Sequence, residues 1–175
     1  MPYDVTNPPP RPDPGLTPGA VDSRVTVALA LTRNFTYGFW HSNSWVPREH
    51  QVLGDTPVRN VPVHLATHIW HTYFPYRSRK EFPHAFEIDH LIPLHLGGSN
   101  APENLWPQPS SLLGFNAAAK DELELHLLAK LADIRQLDGD VAAAQALLDW
   151  QAQFAADWTV LYAQNSPPLS TIRPL

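Results

Sequence analysis

The chain has 175 residues, which is the size of one domain with short extensions. Its formal net charge of −5 argues against a protein that coats nucleic acid by bulk electrostatics, but it is compatible with an enzyme whose cations are placed locally. The absence of cysteine excludes disulfides and cysteine-bound zinc. No apolar run predicts a membrane span and no signal peptide is recognised, so we expect no membrane association, and secreted and cytoplasmic locations both remain open.

Proline punctuates the N-terminal part of the sequence, for example in Asn7-Pro8-Pro9-Pro10. This composition predicts an extended arm or linker over residues 1–20, followed by a single domain over 21–165 and a short tail over 166–175. Between residues 21 and 46 β-branched and aromatic residues are mixed, and helix and strand both remain open there.

Apolar residues at helical spacing predict a helix from about Pro62 to Phe74. Three histidines lie along it at positions i, i+4 and i+7, a spacing that could bind zinc. No glutamate follows the first of them, as one does in zinc proteases, so a structural or surface role is favoured. These residues are His64, His68 and His71.

The segment 86–92 alternates between apolar and polar residues and predicts a strand. Two glycines at 97–98 predict a turn, so we expect a short two-stranded hairpin around residues 85–100. Further on, Pro107 and Pro109 argue against any regular element, since proline cannot donate to a sheet ladder.

Two long helices are predicted in the C-terminal half. The first begins near Asn116, carries apolar residues at spacings of four, four and three, and ends at Gly139. The second runs from about Asp140 to Ala163. The residues predicted to be buried are Leu123, Leu127, Leu131 and Ile134 on the first helix and Leu147, Phe154, Trp158 and Leu161 on the second.

The pair Asp89-His90 at the end of the predicted strand carries the chemistry of interest. Cleavage of a phosphodiester needs a base that activates water and a cation that neutralises the charge developing on the phosphate oxygens. The imidazole of His90, with an ordinary pKa near about 6.5, suits the first task. The carboxylate of Asp89 is a hard oxygen ligand of the kind that Mg²⁺ and Mn²⁺ prefer.

The residues around this pair form an ordered set of motifs. They are Glu87-Ile88-Asp89-His90-Leu91-Ile92-Pro93-Leu94, then Gly97-Gly98-Ser99-Asn100, then Asn104-Leu105-Trp106, and finally Lys120-Asp121-Glu122-Leu123-Glu124.

This order resembles the HNH (ββα-metal) endonuclease family, and more closely a group of bacterial HNH-like proteins with the pattern EIDHLIPLxLGGSN…NLWPQP…KDxLE. The resemblance covers about residues 85–163. It implies an α+β fold in which a short β-hairpin packs on a helix to form the ββα-metal core, with additional helices around it.

The resemblance also implies roles for individual residues. His90 is expected to be the general base and Asn104 to brace the loop and hold His90 through backbone hydrogen bonds. Asp89 and Asn116 are expected to bind one divalent metal ion. Asn116 follows Asn104 by twelve positions, a longer spacing than this family usually has, so His126 is the alternative second ligand.

Further residues are candidates on charge and position alone. Glu87 lies two residues before Asp89, on the same face of the strand, and could bind the metal directly or through water. Lys120 lies one helical turn after Asn116 and could contact a substrate phosphate or pair with Glu124. The densest basic run of the chain could also contact phosphate, or could be a solvated loop; it consists of Arg77, Arg79 and Lys80.

Taken together, these features predict a metal-dependent HNH endonuclease that hydrolyses phosphodiester bonds of nucleic acid, with DNA favoured over RNA. One divalent ion is expected, Mg²⁺ or Mn²⁺ first and Zn²⁺ or Ni²⁺ as alternatives. The toxic module of a larger effector, which would require a cognate immunity protein, is one form that such an enzyme takes.

Two other hypotheses remain open at this stage. The chain could keep the HNH fold as an inactive module that binds nucleic acid or protein, which its acidic charge favours and the intact Asp89-His90 pair opposes. It could also be a zinc hydrolase that uses the histidines at 64, 68 and 71.

Overall fold

Residues 3–110 and 115–165 are described by the computed structural model, which shows a mixed α+β arrangement. Within these ranges lie four α-helices and five short strands, joined by single turns of 3₁₀ helix. In chain order they are α1 (Val27–Ala30), β1 (Phe39–His41), β2 (Ser44–Val46), β3 (Thr56–Pro57), α2 (Val63–Tyr73), β4 (Phe86–His90), β5 (Leu105–Pro109), α3 (Ala117–Asp138) and α4 (Asp140–Asn165). The predicted α+β class is therefore confirmed.

Residues 21–46, where helix and strand both remained open from the sequence, contain α1 and the first two strands of a small three-stranded sheet. Its strands lie in the order β2-β1-β3, and both pairings are antiparallel. The turn between β1 and β2 holds Ser42 and Asn43 at φ values of 48° and 66°, the left-handed conformation that a tight two-residue hairpin requires. Beneath this sheet Phe35, Trp40 and Val58 form a small separate core.

The second sheet contains only β4 and β5, paired antiparallel with Asp89 opposite Trp106. The prediction of a hairpin within residues 85–100 was therefore wrong about its second strand, which comes from residues 105–109. The prediction that Pro107 and Pro109 prevent a regular element was also wrong.

The register explains how the two prolines are accommodated. Leu91 N–H donates to the Asn104 carbonyl and Ser110 N–H donates to the Ala85 carbonyl, which makes these flanking pairs hydrogen-bonded. Since hydrogen-bonded and non-hydrogen-bonded pairs alternate along an antiparallel ladder, Pro107 falls in a non-hydrogen-bonded pair with Ile88. The backbone nitrogens of Pro107 and Pro109 both point away from β4. On that side of β5 no partner strand is present among the described residues, so the absence of their N–H groups costs no ladder hydrogen bond.

The main core lies between the β4–β5 sheet and the helices α2, α3 and α4. The predicted first long helix is confirmed: Asn116 is its N-cap and accepts a hydrogen bond from Ala119 N–H at 2.9 Å. It ends at Gly139, whose φ of 89° lies in the left-handed region. The helix predicted over Pro62–Phe74 is confirmed as α2, and the predicted buried face of α4 is confirmed as Leu147, Phe154, Trp158 and Leu161. The prediction of one continuous helix from Asp140 to Ala163 was wrong at Asp157, whose φ of −166° and ψ of 97° are not helical and interrupt α4 with a kink.

The described part of the proline-rich segment lies against the body of the protein. Thr17 is buried, and its hydroxyl contacts Tyr73 Oη at 2.7 Å and donates to the Leu105 carbonyl at 2.9 Å. Trp158 Nε1–H donates to the Pro10 carbonyl at 3.0 Å. This segment thus closes one side of the β4–β5 sheet, whereas the predicted C-terminal tail over 166–175 lies outside the described residues.

None of the helices in the described ranges has both the length and the apolar composition needed to cross a membrane.

Candidate active site

His90 is the last residue of β4 and is buried, with 3% of its surface exposed. Its Nε2 lies 3.1 Å from the side-chain oxygen of Asn100. That same oxygen accepts a hydrogen bond from Asn60 N–H at 3.0 Å, and the Asn100 amide donates to the Val58 carbonyl at 2.7 Å. A side chain of the loop after β4 therefore connects His90 to the backbone that follows β3.

Asn104 is fully buried and holds the loop between β4 and β5 closed. Its side-chain oxygen accepts from Ile92 N–H at 2.9 Å, and its amide donates to the carbonyls of Ile92 and Ser99 at 3.0 and 2.9 Å. Gly98 has no room for a side chain, since a Cβ there would lie 1.8 Å from the Ile92 oxygen. Close packing of this loop fixes the position at which β4 ends, and with it the position of His90.

Asp89 forms an ion pair with Lys120 of α3. The Lys120 side chain is 3% exposed and that of Asp89 is 22% exposed. Burial by itself would raise the pKa of Asp89, but the neighbouring ammonium group outweighs it and the pKa is lowered. The carboxylate is therefore ionised at neutral pH, and the Lys120 ammonium group is its counter-ion. The sequence had instead suggested that Lys120 contacts a substrate phosphate or pairs with Glu124.

Gln108 of β5 completes the contacts of this pair. The hydrogen-bonding pattern assigns its amide nitrogen to the side that faces the carboxylate, where it donates to Asp89 Oδ2 at 2.8 Å. Its oxygen then accepts from Ala117 N–H at 3.3 Å, at the start of α3. Gln108 thus links the Asp89 carboxylate to the first turn of α3, which Asn116 caps.

Two further carboxylates face the same region, and both have raised pKa values. Glu87 and Asp121 are exposed at the surface, so the main cause is partial desolvation by neighbouring atoms rather than full burial, and the negative charge of Asp89 adds to it. Lys120 and Arg59 act in the opposite direction on both groups. The surroundings of Asp89 and His90 therefore have negative potential, offset by the ammonium group and by one exposed guanidinium group.

The remaining predicted residues lie away from this cluster. His126 follows Lys120 by six residues, which places it about 240° around α3 and about 9 Å further along its axis. The basic run precedes β4, at the opposite end of this strand from His90. Within it Arg77 pairs with Glu81 and lies over the Phe82 ring. The three residues Arg77, Arg79 and Lys80 are all exposed.

One carboxylate oxygen of Asp89 and the side-chain oxygen of Asn116, both predicted to bind a divalent ion, are already engaged. Lys120 and Gln108 both contact Asp89 Oδ2, and the side-chain oxygen of Asn116 accepts the Ala119 N–H. Over residues 3–110 and 115–165 no group of three His, Asp or Glu side chains is arranged to hold a metal ion. The residues as placed therefore do not fit a resident metal ion, and ligation through Asp89 Oδ2 would require Lys120 to move.

Three residues of the site were missed by sequence reasoning. Asn100 stands in the Gly-Gly-Ser-Asn turn, where its residue type is explained by the turn alone. Gln108 lies between two prolines in a segment for which no regular structure was predicted. Arg59 has no neighbouring basic residue in the sequence, and only the packing of the three-stranded sheet brings it near the carboxylates.

The pKa of His90 gives a prediction for stability. Burial lowers this pKa from 6.5 to about 4, so below pH 6.5 the unfolded chain takes up a proton that the folded chain does not. Stability should fall by roughly 3 kcal/mol as the pH decreases from 6.5 to 4, and this contribution should be constant above 6.5.

Urea unfolding of the wild type and of His90→Gln between pH 4 and 7 would measure this effect, because the difference between the two proteins isolates residue 90. If that difference does not change with pH, His90 is not held in its neutral form by burial.

In the comparisons with known proteins, no family model, curated protein or solved structure matches this chain.

Proposed function

We propose that the protein is a phosphodiester hydrolase of the HNH type, acting on nucleic acid, with DNA favoured over RNA. The observation that carries the proposal is the placement of His90. It is an imidazole at the end of a strand, held by a hydrogen-bonding asparagine and adjacent to an aspartate–lysine ion pair. Burial lowers its pKa to about 4, which keeps the ring neutral at pH 7 but also makes it a weaker base than a free histidine. A neutral imidazole at pH 7 is the form that accepts a proton.

In the proposed reaction His90 takes a proton from the attacking water. The new bond between this oxygen and phosphorus forms while the bond from phosphorus to the leaving oxygen of the sugar breaks. The leaving oxygen takes a proton from solvent water, and His90 returns its proton to solvent. The negative potential from Glu87 and Asp121 opposes the approach of a phosphate, so cations must offset it. Arg59 is exposed and acts on the same groups, which makes it the residue best placed to meet the substrate.

The requirement for Mg²⁺ or Mn²⁺, with Zn²⁺ and Ni²⁺ as alternatives, comes from the HNH resemblance. Such an ion, when bound, would supply positive charge to the phosphate oxygens. Since the carboxylate of Asp89 is paired with Lys120, no step of the proposed reaction is assigned to the ion. The need for metal is therefore a variable of the experiment.

The test is a cleavage assay of the full chain with supercoiled plasmid, single-stranded DNA and RNA. Each substrate is incubated with Mg²⁺, Mn²⁺, Zn²⁺ or Ni²⁺, and with EDTA alone. We expect cleavage that His90→Ala abolishes and that His126→Ala leaves intact. Failure to cleave any of the substrates under all these conditions would reject the proposal. Cleavage in EDTA would support the hydrolase activity and contradict its dependence on a metal ion.

The alternative is an HNH-fold module that binds nucleic acid or protein without hydrolysis. The buried pairing of Asp89 with Lys120 favours it, since this pairing occupies the carboxylate that a metal would need. Binding of labelled DNA without cleavage, unaffected by His90→Ala, would support this alternative.

Two expectations carry less structural support. The three histidines of the zinc-hydrolase hypothesis are exposed on α2, and no metal-binding group involving them is found in the described part of the chain. A role as a toxin with a cognate immunity protein depends on the nuclease activity and is tested only after it.

A further inference from the structure

The orientation of the Asn100 amide is fixed by two backbone groups that each have only one hydrogen-bonding role. Asn60 N–H can only donate, so the group it meets at 3.0 Å must be the Asn100 oxygen. The Val58 carbonyl can only accept, so the group 2.7 Å from it must be the Asn100 amide nitrogen. If the oxygen and nitrogen of the Asn100 amide were exchanged, its nitrogen would face the Asn60 N–H, which is also a donor, and its oxygen would face the Val58 carbonyl, which is also an acceptor.

This orientation decides the state of the His90 ring. The atom of Asn100 that lies 3.1 Å from His90 Nε2 is the oxygen, which is an acceptor without a proton. Nε2 must therefore carry the hydrogen. A neutral imidazole has one N–H, so Nδ1 holds the lone pair. No hydrogen bond to Nδ1 is found from any residue in 3–110 or 115–165.

We infer that Asn100 is a positioning residue that holds His90 in the Nε2–H tautomer and so makes Nδ1 the nitrogen that accepts the proton from water. The catalytic part of this inference rests on the proposed hydrolase function, while the tautomer itself does not. The hydrogen-bond partners of Asn100 belong to the backbone after β3. The three-stranded sheet therefore helps to determine which nitrogen of His90 is protonated.

Another histidine of the same protein provides an internal reference. His95 presents Nδ1, not Nε2, to the carboxylate of Glu124 at 2.9 Å. A carboxylate only accepts, so Nδ1 of His95 carries a hydrogen. The two rings are therefore expected to differ in the nitrogen that is protonated, and both can be observed in one spectrum.

The experiment is nitrogen NMR of the ¹⁵N-labelled full chain at neutral pH, without added metal. The resonances of His90 are assigned by their loss in His90→Gln. We expect an unprotonated Nδ1 and an Nε2–H proton protected from exchange with water for His90, and a protonated Nδ1 for His95. An Nδ1–H tautomer at His90, or the absence of a protected Nε2–H proton, would overturn the inference.

Variants then test whether Asn100 is the cause. Asn100→Leu keeps the volume and removes the acceptor, so the Nε2–H proton should lose its protection while His95 stays unchanged. Asn100→Asp keeps an acceptor and should retain the proton. Ser99→Ala is the matched control, because the Ser99 hydroxyl only accepts from Ala101 N–H at 3.2 Å. A protected Nε2–H proton in folded Asn100→Leu would contradict the role of Asn100.

Cleavage by the same variants separates this inference from the proposed function. If the wild type is active, Asn100→Leu should lower kcat at least tenfold with little change in KM, and Asn100→Asp should recover part of the loss. If the wild type is inactive but His90 has the expected tautomer, the proposed hydrolase function is rejected, while the inference that Asn100 sets the tautomer of His90 still holds. If Asn100→Leu does not fold, the tautomer of the wild type and of Asn100→Asp still decides the question.

Discussion

His90→Ala is expected to fold and to lose at least two orders of magnitude in the rate of phosphodiester cleavage. A positioned general base contributes about 10²–10⁴-fold to such a reaction, and no other imidazole among the described residues lies at the end of β4. The measurement is single-turnover cleavage of the preferred substrate, alongside circular dichroism and thermal unfolding to establish that the variant is folded.

The matched control for this prediction is His126→Ala. His126 belongs to the same domain and was the alternative ligand predicted from the sequence, but it lies on another side of α3 from Lys120. A wild-type rate in folded His90→Ala would remove His90 from the reaction. A comparable loss in His126→Ala would show that the site extends to a different face of the helix.

Lys120→Met is expected to lower the free energy of unfolding by about 2–4 kcal/mol. Methionine fills a similar volume but leaves the largely desolvated carboxylate of Asp89 without its counter-charge, and breaking a buried pair by removing one partner typically costs about 3–5 kcal/mol. The lower range is chosen because 22% of the Asp89 side chain is exposed. Denaturant unfolding at pH 7 measures the change.

The double variant Asp89→Asn with Lys120→Met should recover most of this loss, because it removes both charges. The coupling between the two positions follows from a double-mutant cycle with the single variants. Strictly additive effects would contradict the ion pair as a stabilising contact. Lys130→Met is the control for loss of a lysine from α3, because Lys130 is exposed and, among residues 3–110 and 115–165, its recorded hydrogen-bond partner is Asn165.

Titration of the same variants with Mn²⁺ tests the metal expectation directly. If the Lys120 ammonium and a metal ion compete for Asp89, Lys120→Met should bind Mn²⁺ more tightly than the wild type, and Asp89→Ala should bind it more weakly. Equal and negligible affinity in all three proteins would remove Asp89 from any metal site.

Local patterns were sufficient to predict much of the helical structure. The start of α3 follows from Asn116, whose side chain caps the first turn, and its end follows from Gly139, whose positive φ suits glycine. The buried face of α4 follows from apolar residues at helical spacing. Each of these features depends on residues close together in the chain, so a sequence window contains the cause.

The strand pairing was not predictable in the same way. The proline pair at 107 and 109 reads as a break in the sequence, yet both residues fall in non-hydrogen-bonded pairs of β5. Whether a proline disrupts a strand depends on which side of the ladder its nitrogen faces, and that is set by the register with β4. The register is in turn set by contacts across the loop that Asn104 closes.

The sequence alone determined where the chemistry would be sought: Asp89 and His90 are adjacent residues, and their neighbours carry the resemblance that suggested a nuclease. Only the tertiary structure decided the partners of these two side chains. Lys120, 31 residues from Asp89, is its counter-ion, and Asn100 orients His90 with help from the backbone at 58–60. Charge pairing and tautomer depend on distances of a few ångströms between segments far apart in the chain, and these distances exist only after the core has packed.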